Sequence, residues 1–392
     1  MTSLLRLLLV MVMAVPMATG CATRQPLRDN APGSRPQAGT DEDELWYAME
    51  RAETELKRSP QRVTDPALNA YVREVACKAA AERCRDLRVY IMDVPHFNAS
   101  MAPNGAMLVW TGALLRMRDE AELAFVLGHE TGHYDAQHSI QQWRRLKDTS
   151  AVLSAFQIVA FGAGAGNAAM LGALAGYATL FKYSRDMERE ADRFATAASL
   201  RQGYDAQAGV DLWARMLAEE QSKPYQRRGR IFSTHPPSSE RLNDIRAAAA
   251  AVDTHPRERG RDRYRAVMRP FLAHWLDENL GQREYASSIL VIGGLLAEAP
   301  DADRGLLTFY MGEAYRRRGA AGDRDRAAEL YAKAITLPGT PAAAWREHGF
   351  ALRQRGQTTQ ARQALQRYLS LAPQAQDRAF VQRELDRSGD SP

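Results

Sequence analysis

The sequence predicts an α+β fold, mainly helical, and three observations carry that expectation. Helical periodicity runs through most of the 392 residues, only two short stretches alternate as strands do, and the C-terminal third repeats itself as helix pairs. A hydrophobic content of 45% with 25% charged residues is that of a folded chain, long enough for two or three domains. The formal charge of +5 comes from interspersed acidic and arginine-rich segments and not from a basic block, so no nucleic-acid partner is expected.

Taken in order, Arg6 is followed by Leu7-Leu8-Leu9-Val10-Met11-Val12-Met13, an apolar run of export-signal length and too short to span a bilayer. It ends in Ala18-Thr19-Gly20-Cys21. Small residues directly before a cysteine resemble the site at which bacterial prolipoproteins are cleaved. Residues 1–20 therefore read as a lipoprotein signal peptide and Cys21 as the lipidated N-terminus, with a plain secreted protein as the alternative. Ala22 follows the cysteine, and resemblance to sorted lipoproteins then implies the outer membrane. Residues 21–42, rich in Pro, Gly, Arg, Gln and Asn, read as a flexible tether.

Helical patterning covers about 43–58 and 65–81. Leu87, Val89 and Ile91 then alternate with Arg88, Tyr90 and Met92 as a half-buried strand, and a second strand over 106–111 follows the Pro103-Asn104-Gly105 turn signal. Export makes a disulfide between Cys77 and Cys84 an expectation. On one continuous helix these residues would stand roughly 10 Å apart at their Cα atoms, so the bridge requires the helix to end between them.

Asp119 with Glu122 three residues on marks a capping box opening one long helix, roughly 120–146, with Leu123, Val126 and Leu127 in its apolar stripe. Residues 151–181 are almost uncharged, but a Gly-Ala-Gly-Ala-Gly segment at 162–166 divides them into pieces each short for a membrane span. They read as a buried or interface-lying helical hairpin, with membrane insertion or a loop lid as alternatives. Charged helix resumes at Tyr183, and the polar, arginine-laden stretch 253–267 reads as a linker between domains at 43–252 and 268–392. In the second domain Trp345, Gly349, Leu352, Ala361, Leu365 and Pro373 fit the tetratricopeptide pattern. Gly312, Tyr315, Ala327, Tyr331, Ala334 and Pro338 form a preceding copy, and a weaker one ends at Pro300. An irregular helical bundle is the alternative.

The chemistry concentrates in His129-Glu130-Thr131-Gly132-His133. Residues four apart on a helix project from nearly one face, so both imidazoles can reach a single tetrahedral Zn²⁺. Glu130 then lies beside the metal, where its carboxylate can take a proton from the attacking water as general base. Thr131 and Gly132 are small, which reads as room for metal and substrate. A third ligand is available in Ser184-Arg185-Asp186-Met187-Glu188-Arg189-Glu190-Ala191-Asp192: on a second helix Glu188 can ligate while Asp192, one turn on, bonds the outer nitrogen of a ligand histidine. Glu190 is expected to point elsewhere.

Asn98, Gly105, Glu122-Leu123-Ala124, the His129–His133 motif, and Ser184-Arg185 with Glu188, Ala191 and Asp192 occur in that order. Over roughly residues 45–250 the chain resembles the HtpX and CAAX-prenyl-protease family of zinc metallopeptidases, and with its export signal and C-terminal repeats it resembles the periplasmic BepA/LoiP-like branch. The resemblance implies a gluzincin-type metallopeptidase domain with a small sheet, holding one Zn²⁺ through His129, His133 and Glu188, with Glu130 catalytic. Thr234-His235-Pro236-Pro237, followed by Glu240-Arg241, is also family-like. It implies a zinc-proximal role for His235, either as a fourth ligand in a resting state or as a stabiliser of the oxyanion, with a structural loop histidine as the alternative. His138 reads as a supporting or surface residue, and His96, His255, His274 and His348 as structural.

The expected activity is zinc-dependent cleavage of misfolded or stalled cell-envelope proteins. An extended substrate would pair with the free edge of the strand around Met107–Trp110. Expected partners are unfolded or misassembled envelope proteins, outer-membrane protein assembly machinery through the repeats, and the membrane through the lipid on Cys21. Two rivals remain: a non-proteolytic chaperone or assembly factor with a plugged or structural zinc site, and an intramembrane protease using 151–181.

Overall fold

The structure, a computed structural model, describes residues 27, 31–147, 183–223, 235, 238–251 and 257–387. The expected signal peptide, Cys21, the 151–181 hairpin and His255 lie outside the described residues.

Thr40 Oγ1 accepts from Asp43 N at 3.2 Å to open α1 (Asp41–Arg58), whose acidic first turn and basic last turn suit the helix dipole. The residues just before α1 are not a free tether: Gly33 N donates to Asp86 Oδ1, and Arg35 Nη2 donates to Glu50 Oε1 at 2.7 Å. Asp65 caps α2 (Pro66–Ala80), with Pro66 at a position where no backbone donor is needed. Ala81 then turns to φ 51° and a 3₁₀ turn runs over Ala81–Arg85. The helix thus ends between Cys77 and Cys84, whose Cα atoms stand 4.6 Å apart and whose side chains form a disulfide.

Among the described residues the sheet has three strands, one more than expected: β1 (Arg88–Met92), β2 (Ala99–Met101) and β3 (Ala106–Trp110), in the order β1-β3-β2. β1 runs parallel to β3 with Ile91 opposite Val109, and β2 antiparallel with Ser100 opposite Leu108. Because β3 is central, the free edge expected at Met107–Trp110 does not exist. The outer side of β1 is bridged between Arg62 and Met92, which leaves β2 as the edge. One sheet face carries Tyr90, Leu108 and Met92 against Leu45, Met49 and Leu56 of α1. The other, with Ile91, Met107 and Val109, faces the main core.

After α3 (Thr111–Arg116), Asp119 Oδ1 accepts from Glu122 N at 2.9 Å and opens α4 (Glu120–Asp135). Glu122 reaches back as a capping box requires, but to Arg118 N at 2.9 Å, one residue before the cap. The single helix expected over 120–146 is two: Gln137 takes φ 53° and a new helix, α5 (His138–Lys147), begins. Every residue from Glu120 to His133 is buried, so α4 is a central helix and not an amphipathic surface one.

Facing it is α6 (Arg185–Arg201), followed by α7 (Gln207–Gln221) and α8 (Ser239–Ala250). A Cβ on Gly128 would stand 3.3 Å from Ala195 Cα, and one on Gly132 would stand 3.1 Å from Ala191 Cα and 2.9 Å from Phe194 Cβ. Gly132 therefore serves the close approach of α4 to α6, not the room for substrate that its size suggested.

The described part of the 253–267 stretch is not a bare linker. It holds α9 (Arg261–Met268), and Arg259 donates to Asp119 Oδ2 at 2.7 Å, Asp211 Oδ2 at 3.0 Å and Asp205 Oδ2 at 3.2 Å. Its carbonyl accepts from Ala121 N at 3.1 Å, which pins the segment to the start of α4. Beyond it come α10 (Leu272–Gly281), α11 (Tyr285–Ala297), α12 (Asp301–Arg318), α13 (Asp323–Ala334), α14 (Ala342–Gln354), α15 (Thr358–Leu371) and α16 (Arg378–Arg387). Gly312 on α12 meets Tyr331 on α13 as Gly349 on α14 meets Leu365 on α15: a Cβ would stand 2.6 Å and 2.7 Å from those side chains. The same small-against-large contact thus recurs in successive helix pairs. One apolar core runs from Leu68 through Phe125 and Trp275 to Ala344 and joins the two regions.

Candidate metal centre

Four buried side chains from three places in the chain converge: His129 and His133 on α4, Glu188 on α6, and His235. Ser184 opens α6 by accepting from Met187 N, and Glu188 falls one turn in, on the side facing α4. His129 Nε2 lies 3.0 Å from His133 Nε2, 3.3 Å from His235 Nδ1 and 3.5 Å from Glu188 Oε2. Glu188 Oε1 lies 3.0 Å from His235 Nδ1 and 3.7 Å from His133 Nε2.

These separations test whether a metal fits. Donors about 2.1 Å from a tetrahedral centre are about 3.4 Å from one another, and imidazole nitrogens with one carboxylate are the donors zinc takes. The observed spacings of 3.0–3.7 Å bracket that edge. Three imidazole nitrogens and a carboxylate oxygen crowded around one point, all buried, fit a cation held between them.

Surrounding groups hold the donors in place. Asp192 Oδ1 lies 2.9 Å from His129 Nδ1, the placement the sequence suggested. Arg241 on α8 forks onto Asp192, its Nε and Nη2 donating at 2.9 Å and 2.8 Å, while its Nη1 lies 2.6 Å from Glu188 Oε2. The guanidinium also lies over the Trp213 ring, 4.6 Å from its centroid. His133 Nδ1 is 2.9 Å from His138 Nδ1, and His138 Nε2 is 3.3 Å from Glu190 Oε2; Glu190 itself stays out of the donor set, and its mostly exposed side chain reaches only His138. Tyr183 stacks on the His133 ring at 3.9 Å, its hydroxyl 2.9 Å from Ser139 Oγ. Arg241 is marked in the sequence only as part of the family-like element that follows His235, and Tyr183 only as the point where charged helix resumes; neither carries a spacing signal for these contacts. The turn at Gln137 that brings His138 against His133 was hidden for the same reason.

Glu130 stays outside the quartet of donors, its Oε1 3.6 Å from His235 Nε2. Burial pushes its carboxyl above the ordinary value, against the pull of His235 and His129. Burial would raise Glu188 as well, but His235 and Arg241 beside it hold that carboxyl well below the ordinary value. Burial, with His129 and His235 nearby, keeps His133 well below its ordinary value, hence neutral with a lone pair to give. The histidines expected to be structural stand apart: His96, His274 and His348 are not among the converging donors.

Comparison with known proteins falls on these residues. Residues 62–249 match the family described as Peptidase family M48, and residues 343–375 match a tetratricopeptide repeat. A putative beta-barrel assembly-enhancing protease of Vibrio cholerae is 29% identical over 62% of this chain and 52% of its own length. The beta-barrel assembly-enhancing protease of Yersinia pestis is 28% identical over 57% of this chain and 48% of its own. The metalloprotease YcaL of Escherichia coli is 32% identical over 39% of this chain and 59% of its own. The chain spans about half the length of the curated relatives it matches. The match and the converging donors coincide: residues 62–249, which are similar to Peptidase family M48, carry His129, His133, Glu188 and His235, and residues 343–375 are similar to a tetratricopeptide repeat.

Proposed function

We propose that this chain is an exported, lipid-anchored zinc metalloendopeptidase of the periplasm, attached to the outer membrane through Cys21, that degrades misfolded or stalled envelope proteins. The observation that carries the reading is Glu130: buried, adjacent in sequence to the ligand His129, yet outside the donor quartet with its carboxylate beside it. His129, His133 and Glu188 hold the metal in this reading, and a zinc ion there supplies Lewis acidity and makes water acidic enough to ionise near neutral pH. Glu130, its carboxyl raised by burial, accepts the proton of the attacking water and returns it to the leaving amine. Asp192 keeps His129 in the tautomer that presents Nε2. An extended polypeptide adds to the free edge of β2, where backbone hydrogen bonds give affinity without sequence preference, as quality control requires. The repeats dock clients or outer-membrane assembly machinery, a role supported by the names of the relatives.

The test is Glu130→Gln in purified protein. It is expected to retain zinc and lose cleavage of an unfolded substrate such as casein, and retained turnover ends this mechanism.

A specific observation favours a second reading. His235 Nδ1 takes the fourth corner of the donor set, and a fourth protein ligand excludes the attacking water. The chain would then be a chaperone or assembly factor with a plugged site, and Glu130→Gln would rescue the envelope defects of a deletion as well as wild type. For the intramembrane rival, no described helix is long and apolar enough to cross a membrane. Release of the delipidated protein from membranes would exclude that rival.

A further inference from the structure

We infer that the apolar pocket between α1 and β2 is a subsite for one leucine-sized apolar side chain of an extended polypeptide substrate. This deepens the peptidase reading above and rests on its strand addition at β2. Pairing with a strand edge is blind to sequence, and the pocket beside that edge is not.

The ladder decides which groups of β2 are open. Asn98 O accepts from Trp110 N at 3.0 Å, and Ala102 N donates to Ala106 O at 2.8 Å. With Ser100 opposite Leu108 between them, these are the positions bonded to β3, so the backbone groups of Ala99 and Met101 point to the outer edge. That edge passes the metal centre. Phe97, two residues before β2, lies 6.4 Å from Trp213 between ring centroids, and Trp213 lies under Arg241. Pro103, two residues after β2, shares a crevice with His133.

A strand bonded to Ala99 and Met101 places the residue opposite Ser100 on the same face of the sheet as Ser100, with the two side chains close together. That face is the one toward α1, where Ala102 and Leu108 already pack. The pocket there is walled by Met49, Leu56 and Leu108, all buried, while Ala52, Ser100 and Trp110 are only half-buried and give it access to solvent. Ala52 stands about one turn from both Met49 and Leu56, where a larger residue would fill the space.

The charged group of the lining is already engaged, since Glu53 accepts from Arg88, Tyr90 and Asn104. A polar side chain entering the pocket loses water without gaining that carboxylate, whereas an apolar one loses nothing. Bulky apolar side chains are what folding hides, so this pocket favours unfolded clients over folded ones.

The test uses zinc-loaded Glu130→Gln protein, full chain, and a short unstructured peptide of serine, threonine and glutamine with one leucine. Fluorescence anisotropy is expected to show binding at least about tenfold tighter than for the same peptide with alanine in place of leucine, the usual worth of a filled apolar pocket. Ala52→Phe, added to the same protein, is expected to erase that preference while leaving the alanine peptide bound as before. A photoreactive leucine in the peptide is expected to label residues within 49–56 of the protein without Ala52→Phe, a readout independent of how the variant folds. Equal binding of the two peptides, or labelling elsewhere, overturns the subsite. Cleavage by the wild-type chain separates this from the reading it rests on. Equal turnover of both peptides removes the subsite and keeps the peptidase, whereas labelling within 49–56 with no turnover of either keeps the subsite and removes the peptidase.

Discussion

Arg241 Nη1 lies 2.6 Å from Glu188 Oε2, so a guanidinium carried by α8 aims the carboxylate that α6 presents to the metal centre. The same side chain forks onto Asp192, which in turn holds His129, and one cation thereby orients two of the donors.

Arg241→Gln is accordingly expected to weaken zinc affinity by about 10–100-fold, the usual effect of losing a residue that orients a ligand. Competition against a chromophoric chelator measures it. It also leaves two buried carboxylates short of a partner, so a loss of about 3 kcal/mol in stability should accompany it. Unchanged affinity with lowered stability would reduce Arg241 to a packing residue over Trp213.

Gly132→Val forces a side chain into the 3.1 Å approach to Ala191. Overpacking of this kind costs about 1–3 kcal/mol. Because α6 also carries Glu188, thermal stability and zinc content are expected to fall together, as measured by calorimetry and metal analysis of the same sample.

Removing His235 opens the fourth corner. His235→Ala is expected to raise the rate of casein cleavage at unchanged zinc content, since a competing donor is gone. A fall in kcat with zinc retained would instead assign His235 to the oxyanion.

Acid stability depends on Glu53, which accepts from Arg88 Nε at 2.6 Å, Arg88 Nη2 and Asn104 Nδ2 at 2.8 Å, and the Tyr90 hydroxyl at 2.6 Å. Burial would raise its carboxyl, but Arg88 and Tyr90 hold it down at about 2, against an ordinary 4.5. A depressed carboxylate contributes stability in full above pH 4.5 and loses it as pH falls towards 2. The contribution is on the order of 2 kcal/mol after screening. Glu53→Gln is expected to flatten the stability curve over that window in urea titrations at successive pH values.

Much of the site was legible because it is local. His129 and His133 share a face through the backbone repeat alone, and the end of α2 between Cys77 and Cys84 was demanded by disulfide geometry. β2 was not legible, since Ala-Ser-Met is too short to show alternation and owes its strand to pairing with β3. The break at Gln137 was hidden too: no glycine or proline marks it, and the left-handed turn is tolerated because the chain must leave the buried end of α4.

The sequence by itself determined the spacing of the histidines, the capped starts of the helices and the small residues recurring in the repeats, because each depends on neighbours within a turn or two. Only the tertiary structure decided that Glu188 meets those histidines, that Arg241 aims it, that His235 stands as fourth donor and that β2 forms the edge. The relations among Glu188, Arg241, His235 and the two histidines join residues about 50–100 positions apart. They depend on how closely α4 and α6 can pack, a property of side-chain volumes in contact and not of any periodic pattern along the chain.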